Sequence, residues 1–118
     1  MSNILDLSVI QPEPLIIKIP NGDIFTIPGS ISLSIVLHFE NQYKKLAEKK
    51  DNREEYMFMK SAIIDILKLD KENAKKVTDK YITDNNIDSM NYMTAIFDAF
   101  INHVTKLRSD ENLDSPQN

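Results

Sequence analysis

The sequence predicts an α+β protein that is mostly α, with one N-terminal β-hairpin packed on a bundle of about four helices. Apolar stretches flank the turn sequence PNG near the front of the chain, and apolar residues recur at helical spacing over most of the remaining residues. A length of 118 residues is typical of one domain. Such a chain buries roughly two thirds of the surface that it exposes when unfolded, which is enough for a core.

The segment LIIKIPNGDIFTIPG, residues 15–29, has the pattern of a hairpin. Asn-Gly is typical of a two-residue type I′ turn, but that register requires a backbone N–H that Pro20 lacks. A three-residue loop, with Gly22 in the left-handed position of a G1 bulge, avoids this conflict. It also gives the hairpin one apolar face, formed by Leu15, Ile17, Ile19, Phe25 and Ile27. Because an isolated hairpin is marginally stable, we expect this face to pack on the helices.

The segment after the hairpin allows two interpretations at its start. Within residues 31–39, every second residue from Ile31 to Phe39 is apolar, as in a strand. An apolar stripe at helical spacing begins in the same place and extends further along the chain. We therefore expect a helix from about Ser32 to Lys49, and a third strand over Ile31 to Val36 is the alternative.

Three more helices are expected. The second runs from Arg53 to Leu69, and the third is capped by Asp70. The fourth comes after the loop TDNNIDS, is capped by Asp88 or Ser89, and carries a wide apolar stripe as far as residue 107.

The ends of the chain are expected to lie outside the domain, which spans residues 15–107. We expect residues 1–14 to form an extended N-terminal arm, because Pro12 and Pro14 disfavour a helix. The sequence leaves three alternatives for this arm: a short strand, a loose end, or a segment that docks on a partner. Residues 108–118 form a disordered acidic tail, because RSDENLDSPQN contains few apolar residues.

Composition excludes several classes of function. The chain has no cysteine and two glycines, which removes thiol nucleophiles, zinc–thiolate sites and glycine-rich phosphate loops. A net charge of −4 gives no broad basic surface for nucleic acid. No apolar run approaches the length of a membrane span, and the first residues lack the pattern of a signal peptide. We expect a cytoplasmic protein that binds neither nucleic acid nor a membrane.

No motif selects a catalytic, cofactor or metal site. The loop TDNNIDS matches the first ligand positions of an EF-hand, but Ser89 stands where glycine is needed and Ala95 where the bidentate glutamate belongs. His38 and His103 lack the spacing of a metal-ligand pair. Serine, histidine and aspartate are present without a nucleophile elbow. We expect no catalytic residue, no cofactor and no enzymatic activity.

Four of the five methionines lie in the second and fourth expected helices. Ordinary core packing is one interpretation. The other is an adaptable binding groove, because methionine is flexible and polarisable and suits varied apolar partners. The candidate partner-binding residues are Met57, Phe58, Met59, Met90, Met93 and Phe97. The apolar surplus indicates a partner protein or a homo-oligomer.

The segment LIIKIPNGDIFTIPGSISLSIVLHFE, residues 15–40, resembles the opening of tail assembly chaperones from long-tailed bacteriophages and related prophages. The shared features are the PNG hairpin, the IP that ends it, and an apolar–serine pattern that enters a helix. The specific match covers about a quarter of the chain. The remainder is similar to the family in size, helix content and polar C-terminal tail.

The resemblance implies a non-enzymatic chaperone in the cytoplasm of an infected or lysogenic bacterium. Its client is the tape measure protein, a very long apolar helical chain that stays soluble until tail tube subunits polymerise around it. The resemblance adds the tail tube protein as a second candidate partner. The alternative is a small virion structural or connector protein, or a regulatory adaptor, that acts through an apolar helical face.

Overall fold

A computed structural model describes residues 3–7, 12–48 and 51–113 of the chain. Strands β1 (Leu15–Lys18) and β2 (Ile24–Ile27) form an antiparallel hairpin, and helices α1 (Leu33–Leu46), α2 (Asn52–Leu67), α3 (Asp79–Asp84) and α4 (Met90–Leu113) come after it. Helices take up 58% of the structure and strands 8%, which confirms the mostly α, α+β class.

The hairpin has the predicted bulged turn. The strands pair from Leu15 opposite Ile27 to Lys18 opposite Ile24. Beyond them, the Ile19 N–H donates to the Asp23 carbonyl at 2.8 Å, and the Gly22 N–H donates to the Ile19 carbonyl at 2.9 Å. Gly22 has a φ of +99°, so the left-handed position is occupied by the residue that tolerates it.

The two faces of the hairpin differ as expected. Ile17, Ile19, Phe25 and Ile27 are buried and Leu15 is half-buried, whereas the alternate residues Ile16, Lys18, Ile24 and Thr26 are exposed. The apolar face covers α2 and α4, which contact β2 and β1 respectively. Burial of this face is the main source of hairpin stability, because two strands alone are marginal in water.

The segment after the hairpin is helical, and no described residue of 31–36 joins a strand. Ser32 is the N-cap of α1, and its side chain accepts a hydrogen bond from the Ile35 N–H. Val36 and Phe39 face the core, while Leu33 and Leu37 of the same helix are exposed. The helix ends at Leu46, and residues 49–50 lie outside the described ranges.

Helix α2 is the centre of the core. Asp51 caps it by accepting a hydrogen bond from the Arg53 N–H at 3.0 Å. The helix contacts α1, α3, α4 and β2. Its buried residues are Met59, Ala62, Ile63, Ile66 and Leu67.

The prediction of one continuous third helix capped by Asp70 is wrong. Residues 70–78 form a turn, a 3₁₀ turn at Ala74–Lys76 and an extended stretch, and α3 begins only after its cap, Thr78. The Asp70 carboxylate accepts a hydrogen bond from the Thr26 N–H of β2 at 2.8 Å, so it ties this turn to the hairpin. Val77 is extended and buried, which interrupts the helical path.

The ends also differ from the predicted boundaries. Ser89 caps α4 by accepting from the Tyr92 N–H at 3.4 Å, as predicted, but the helix continues to Leu113 instead of ending near residue 107. Residues 106–113, KLRSDENL, contain no glycine or proline to stop it. The rest of the predicted tail, 114–118, lies outside the described residues.

The predicted arm is described over residues 3–7 and 12–14, neither of which contains a β-strand. Residue 12 is packed tightly on the end of the hairpin. A Cβ at Gly29 would lie 1.9 Å from the Pro12 carbonyl oxygen, so only glycine permits this approach.

Candidate functional site

The predicted partner-binding residues do not form one surface. Met59, Met93 and Phe97 are at most 4% exposed and belong to the core, so they present nothing to a partner and are removed from the candidate site. Met57 and Met90 are 63% and 52% exposed, and Phe58 is half-buried. Helical spacing showed that these residues recur, but not which of them the helix turns inward.

Met57 lines a shallow groove along α2, which we call the α2 groove. It has a volume of about 590 Å³ and is lined by Arg53, Tyr56, Met57, Lys60, Ser61, Ile64 and Asp79. Met57, Ser61 and Ile64 are spaced at i, i+4 and i+7, so they lie along one side of the helix. Met57 and Ile64 therefore place two apolar side chains along the groove, with the polar Ser61 between them.

Polar contacts hold the walls of the α2 groove. The Tyr56 hydroxyl donates to Asp88 Oδ2 at 2.8 Å, and Lys60 Nζ lies 3.5 Å from Asp79 Oδ1. The hydrogen bond to Asp88, together with burial, raises the pKa of Tyr56, so the phenol stays a neutral donor at physiological pH. Arg53 forms no ion pair with a residue in the described ranges, which leaves one cation at the rim.

A second groove lies between the outer edge of β1 and α4, and we call it the β1–α4 groove. It has a volume of about 260 Å³. Its strand side is Leu15 to Pro20, and its other side consists of Ile87, in the turn before α4, and of Tyr92, Ala95, Ile96 and Ala99 of α4. Lys18 is the only charged residue in this lining. Ile16 and Tyr92 are 47% and 43% exposed, so apolar surface faces solvent on both sides.

The β1–α4 groove was not predicted from the sequence. Its two walls lie about 75 residues apart in the chain, and their meeting depends on how α4 packs under the hairpin. The sequence feature that could have indicated this groove is the pair Ala95 and Ala99, spaced at i and i+4. Small residues on one side of a helix leave space beside it.

A polar cluster joins the hairpin loop to α3. The Tyr81 hydroxyl donates to Asp23, Asn21 Nδ2 donates to Asn85 Oδ1 at 2.9 Å, and Lys76 Nζ lies 3.6 Å from Asp23 Oδ2. The hydrogen bond from Tyr81 lowers the pKa of Asp23, while burial and that same bond raise the pKa of Tyr81. The cluster fixes the loop, and its groups already bond one another.

The described part of the chain contains neither a metal-binding cluster nor a membrane span. Within residues 3–7, 12–48 and 51–113, no three histidine, aspartate or glutamate side chains are placed to hold a metal ion. In the EF-hand-like loop, Asp88 instead accepts the Tyr56 hydroxyl. No described helix combines the length and apolar character needed to cross a bilayer.

Comparison with known proteins identifies no relative of this chain. No protein-family model matches the chain, and neither a curated protein nor a solved structure matches it. Function is therefore inferred from the geometry of these surfaces and from the resemblance of residues 15–40.

Proposed function

We propose that this protein is a non-enzymatic tail assembly chaperone of a long-tailed bacteriophage or prophage. It binds the apolar helical tape measure protein in the host cytoplasm and keeps that protein soluble until the tail tube protein assembles around it. The observation that carries the proposal is the α2 groove, where Met57 is 63% exposed and shares the lining with Ile64. The resemblance of the hairpin segment supports the choice of client.

The α2 groove suits an amphipathic helix. An amphipathic helix presents apolar anchors at i, i+3 or i+4 and i+7, and Met57 and Ile64, two turns apart on α2, offer apolar contacts for such a helix. The thioether of Met57 can adopt several rotamers, so one groove accepts many client segments of different shape. This tolerance is what a chaperone of a long, varied helical chain requires.

Charge keeps the complex soluble. The chain carries a net charge of −4, so copies bound along one client repel each other and other complexes. Arg53, at the groove rim, provides a local cation for an acidic residue of the client helix. The groove thus attracts the client while the remaining surface prevents aggregation.

Co-expression with the proposed client, a long helical tape measure protein, tests the function. We expect the soluble fraction of that protein to rise several-fold when the wild-type chain is present. Met57→Gln removes the apolar side chain without adding charge and should reverse most of that gain, while the circular dichroism of the variant stays unchanged. Met90→Gln is the matched control, because Met90 is similarly exposed but lies outside both groove linings.

The outcomes separate the function from the site. An unchanged soluble fraction with the wild-type chain would show that the chaperone proposal is wrong. Equal losses for Met57→Gln and Met90→Gln would keep the function and overturn the assignment to the α2 groove.

A further inference from the structure

The two outer edges of the hairpin differ in whether their backbone groups form hydrogen bonds. On β2, the Thr26 N–H donates to Asp70 Oδ2 at 2.8 Å, and the Ile24 carbonyl accepts from Asn73 Nδ2 at 3.4 Å. The turn after α2 therefore covers this edge. Covering an edge with polar groups is one way in which proteins prevent unwanted strand pairing.

Among the described residues, none covers the outer edge of β1. Ile19 pairs inward with Asp23, and inward pairing alternates along an antiparallel strand, so the N–H and C=O groups of Ile16 and Lys18 point away from β2. None of these four backbone groups has a hydrogen bond within the ranges that the structure describes. The apolar β1–α4 groove lies directly beside them.

We propose that a second copy of this chain pairs its own β1 with this edge, antiparallel, about a twofold axis at Ile17. The product is a four-stranded sheet in the order β2, β1, β1, β2. A twofold pairing satisfies both open edges at once, whereas a foreign strand would leave its own far edge unpaired. The second copy is therefore the occupant that the edge fits best.

The prolines select the register. Pro14 and Pro20 lie symmetrically about Ile17 and bound a five-residue pairing segment. With the axis at Ile17, Ile16 lies opposite Lys18 of the second copy, and all four outward groups find partners. An axis at Ile16 or Lys18 would instead place a proline, which has no N–H, opposite one of these residues.

Charge favours the same register. An axis at Lys18 would place two lysines directly opposite each other, and like charges in that position destabilise a sheet. With the axis at Ile17, each lysine stem crosses Ile16, which is 47% exposed. Both charge and hydrogen bonding therefore lead to one arrangement.

The interface is small. A stable interface buries about 800 Å² on each partner. The proposed pairing covers a five-residue edge together with the exposed parts of Ile16, Tyr92, Ala95 and Ala99. We expect a weak dimer whose population rises with protein concentration. This dimer is a property of the isolated protein and does not depend on the proposed client.

Cysteine crosslinking tests the register, and the chain has no cysteine to interfere. Residues opposite each other in a hydrogen-bonded pair have Cα atoms about 5.5 Å apart, within the range of disulfides. Under mild oxidation, a mixture of Ile16→Cys and Lys18→Cys should form a covalent dimer on a non-reducing gel. Either variant alone should not, because identical residues are then diagonal and about 7–8 Å apart.

Two results would overturn the inference. A mixture that stays monomeric at every protein concentration would show that a second copy does not occupy the edge. Crosslinking of either single variant as fast as the mixture would exclude the axis at Ile17.

A proline variant gives an independent measurement. Ile16→Pro removes an outward N–H but no bond between β1 and β2, a position where strands tolerate proline. We expect unchanged circular dichroism and at least a tenfold weaker dimer in analytical ultracentrifugation. A folded variant that dimerises as strongly as wild type would contradict the pairing.

Discussion

Asp70 shows how one residue can serve two elements. It is 6% exposed and accepts four hydrogen bonds, from the N–H groups of Thr26, Glu72 and Asn73 and from the Asn73 side chain. Burial raises the pKa of this carboxyl group, but the hydrogen bonds outweigh burial and hold the pKa below its ordinary value. The charged form is therefore the one that the fold stabilises.

Asp70→Asn should lower the free energy of unfolding by about 2 kcal/mol, because an amide cannot accept all four bonds and leaves a buried donor unsatisfied. Urea denaturation at neutral pH measures this loss. Asp84→Asn is the matched control: Asp84 is exposed, pairs with Lys80 at 3.3 Å, and should cost about 0.5 kcal/mol or less. Equal losses of unfolding free energy in the two variants would show that the buried hydrogen bonds of Asp70 stabilise the fold no more than an exposed ion pair does.

The Asp70 carboxyl group should also make the free energy of unfolding depend on pH. Since its folded pKa lies below the ordinary value of 3.8, its stabilisation is complete above that pH and is lost as the pH falls through the folded pKa. Urea midpoints of wild type and Asp70→Asn should therefore converge as the pH falls below about 4. A constant difference down to pH 2 would contradict this assignment.

At the scale of the elements, turns and helix starts that depend on neighbouring residues were predictable. Contacts between elements distant in the sequence were not. Pro20 and Gly22 fixed the hairpin register, and Ser32 marked the start of α1, because each acts through neighbouring backbone groups. Asp70 Oδ1 accepts the N–H groups of Glu72 and Asn73, as a cap does, but no continuous helix follows, because the backbone becomes extended at Val77. The bond from the Thr26 N–H of β2, 44 residues earlier, could not be predicted from local sequence. The binding residues were partly wrong for a similar reason: spacing places Met57 and Met59 on different faces without showing which face is covered.

Side-chain bonds between elements should contribute stability beyond apolar packing. The Tyr56 hydroxyl joins α2 to the loop before α4 through Asp88. Tyr56→Phe should therefore destabilise the fold by about 1 kcal/mol, since the bond is charge-assisted but partly exposed. Thermal unfolding measures the loss. Tyr43→Phe is the control, because Tyr43 is 48% exposed and packs on Phe97, and its hydroxyl has no partner within the described residues. A control that is equally unstable would disprove the role of the bond.

At the scale of the whole molecule, the described residues form two separate grooves on one small core. The α2 groove and the β1–α4 groove share no lining residue. The first is formed by helix side chains and suits a helix, whereas the second includes an open backbone edge and suits a strand. Client binding and self-pairing therefore use different chemistry, and neither requires the other surface to be free.

A dimer fixed by the disulfide between Ile16→Cys and Lys18→Cys chains should therefore still hold the client in solution. The purified, disulfide-linked dimer is compared with the same mixture kept reduced, at equal chain concentration. The measurement is the fraction of the long helical client that stays soluble after dilution from denaturant. We expect equal or greater solubility for the fixed dimer, because two α2 grooves on one particle increase the effective concentration of binding sites. Introducing Met57→Gln into both chains should remove the effect. A fixed dimer that no longer binds, while the reduced mixture does, would show that client and second copy compete for one surface.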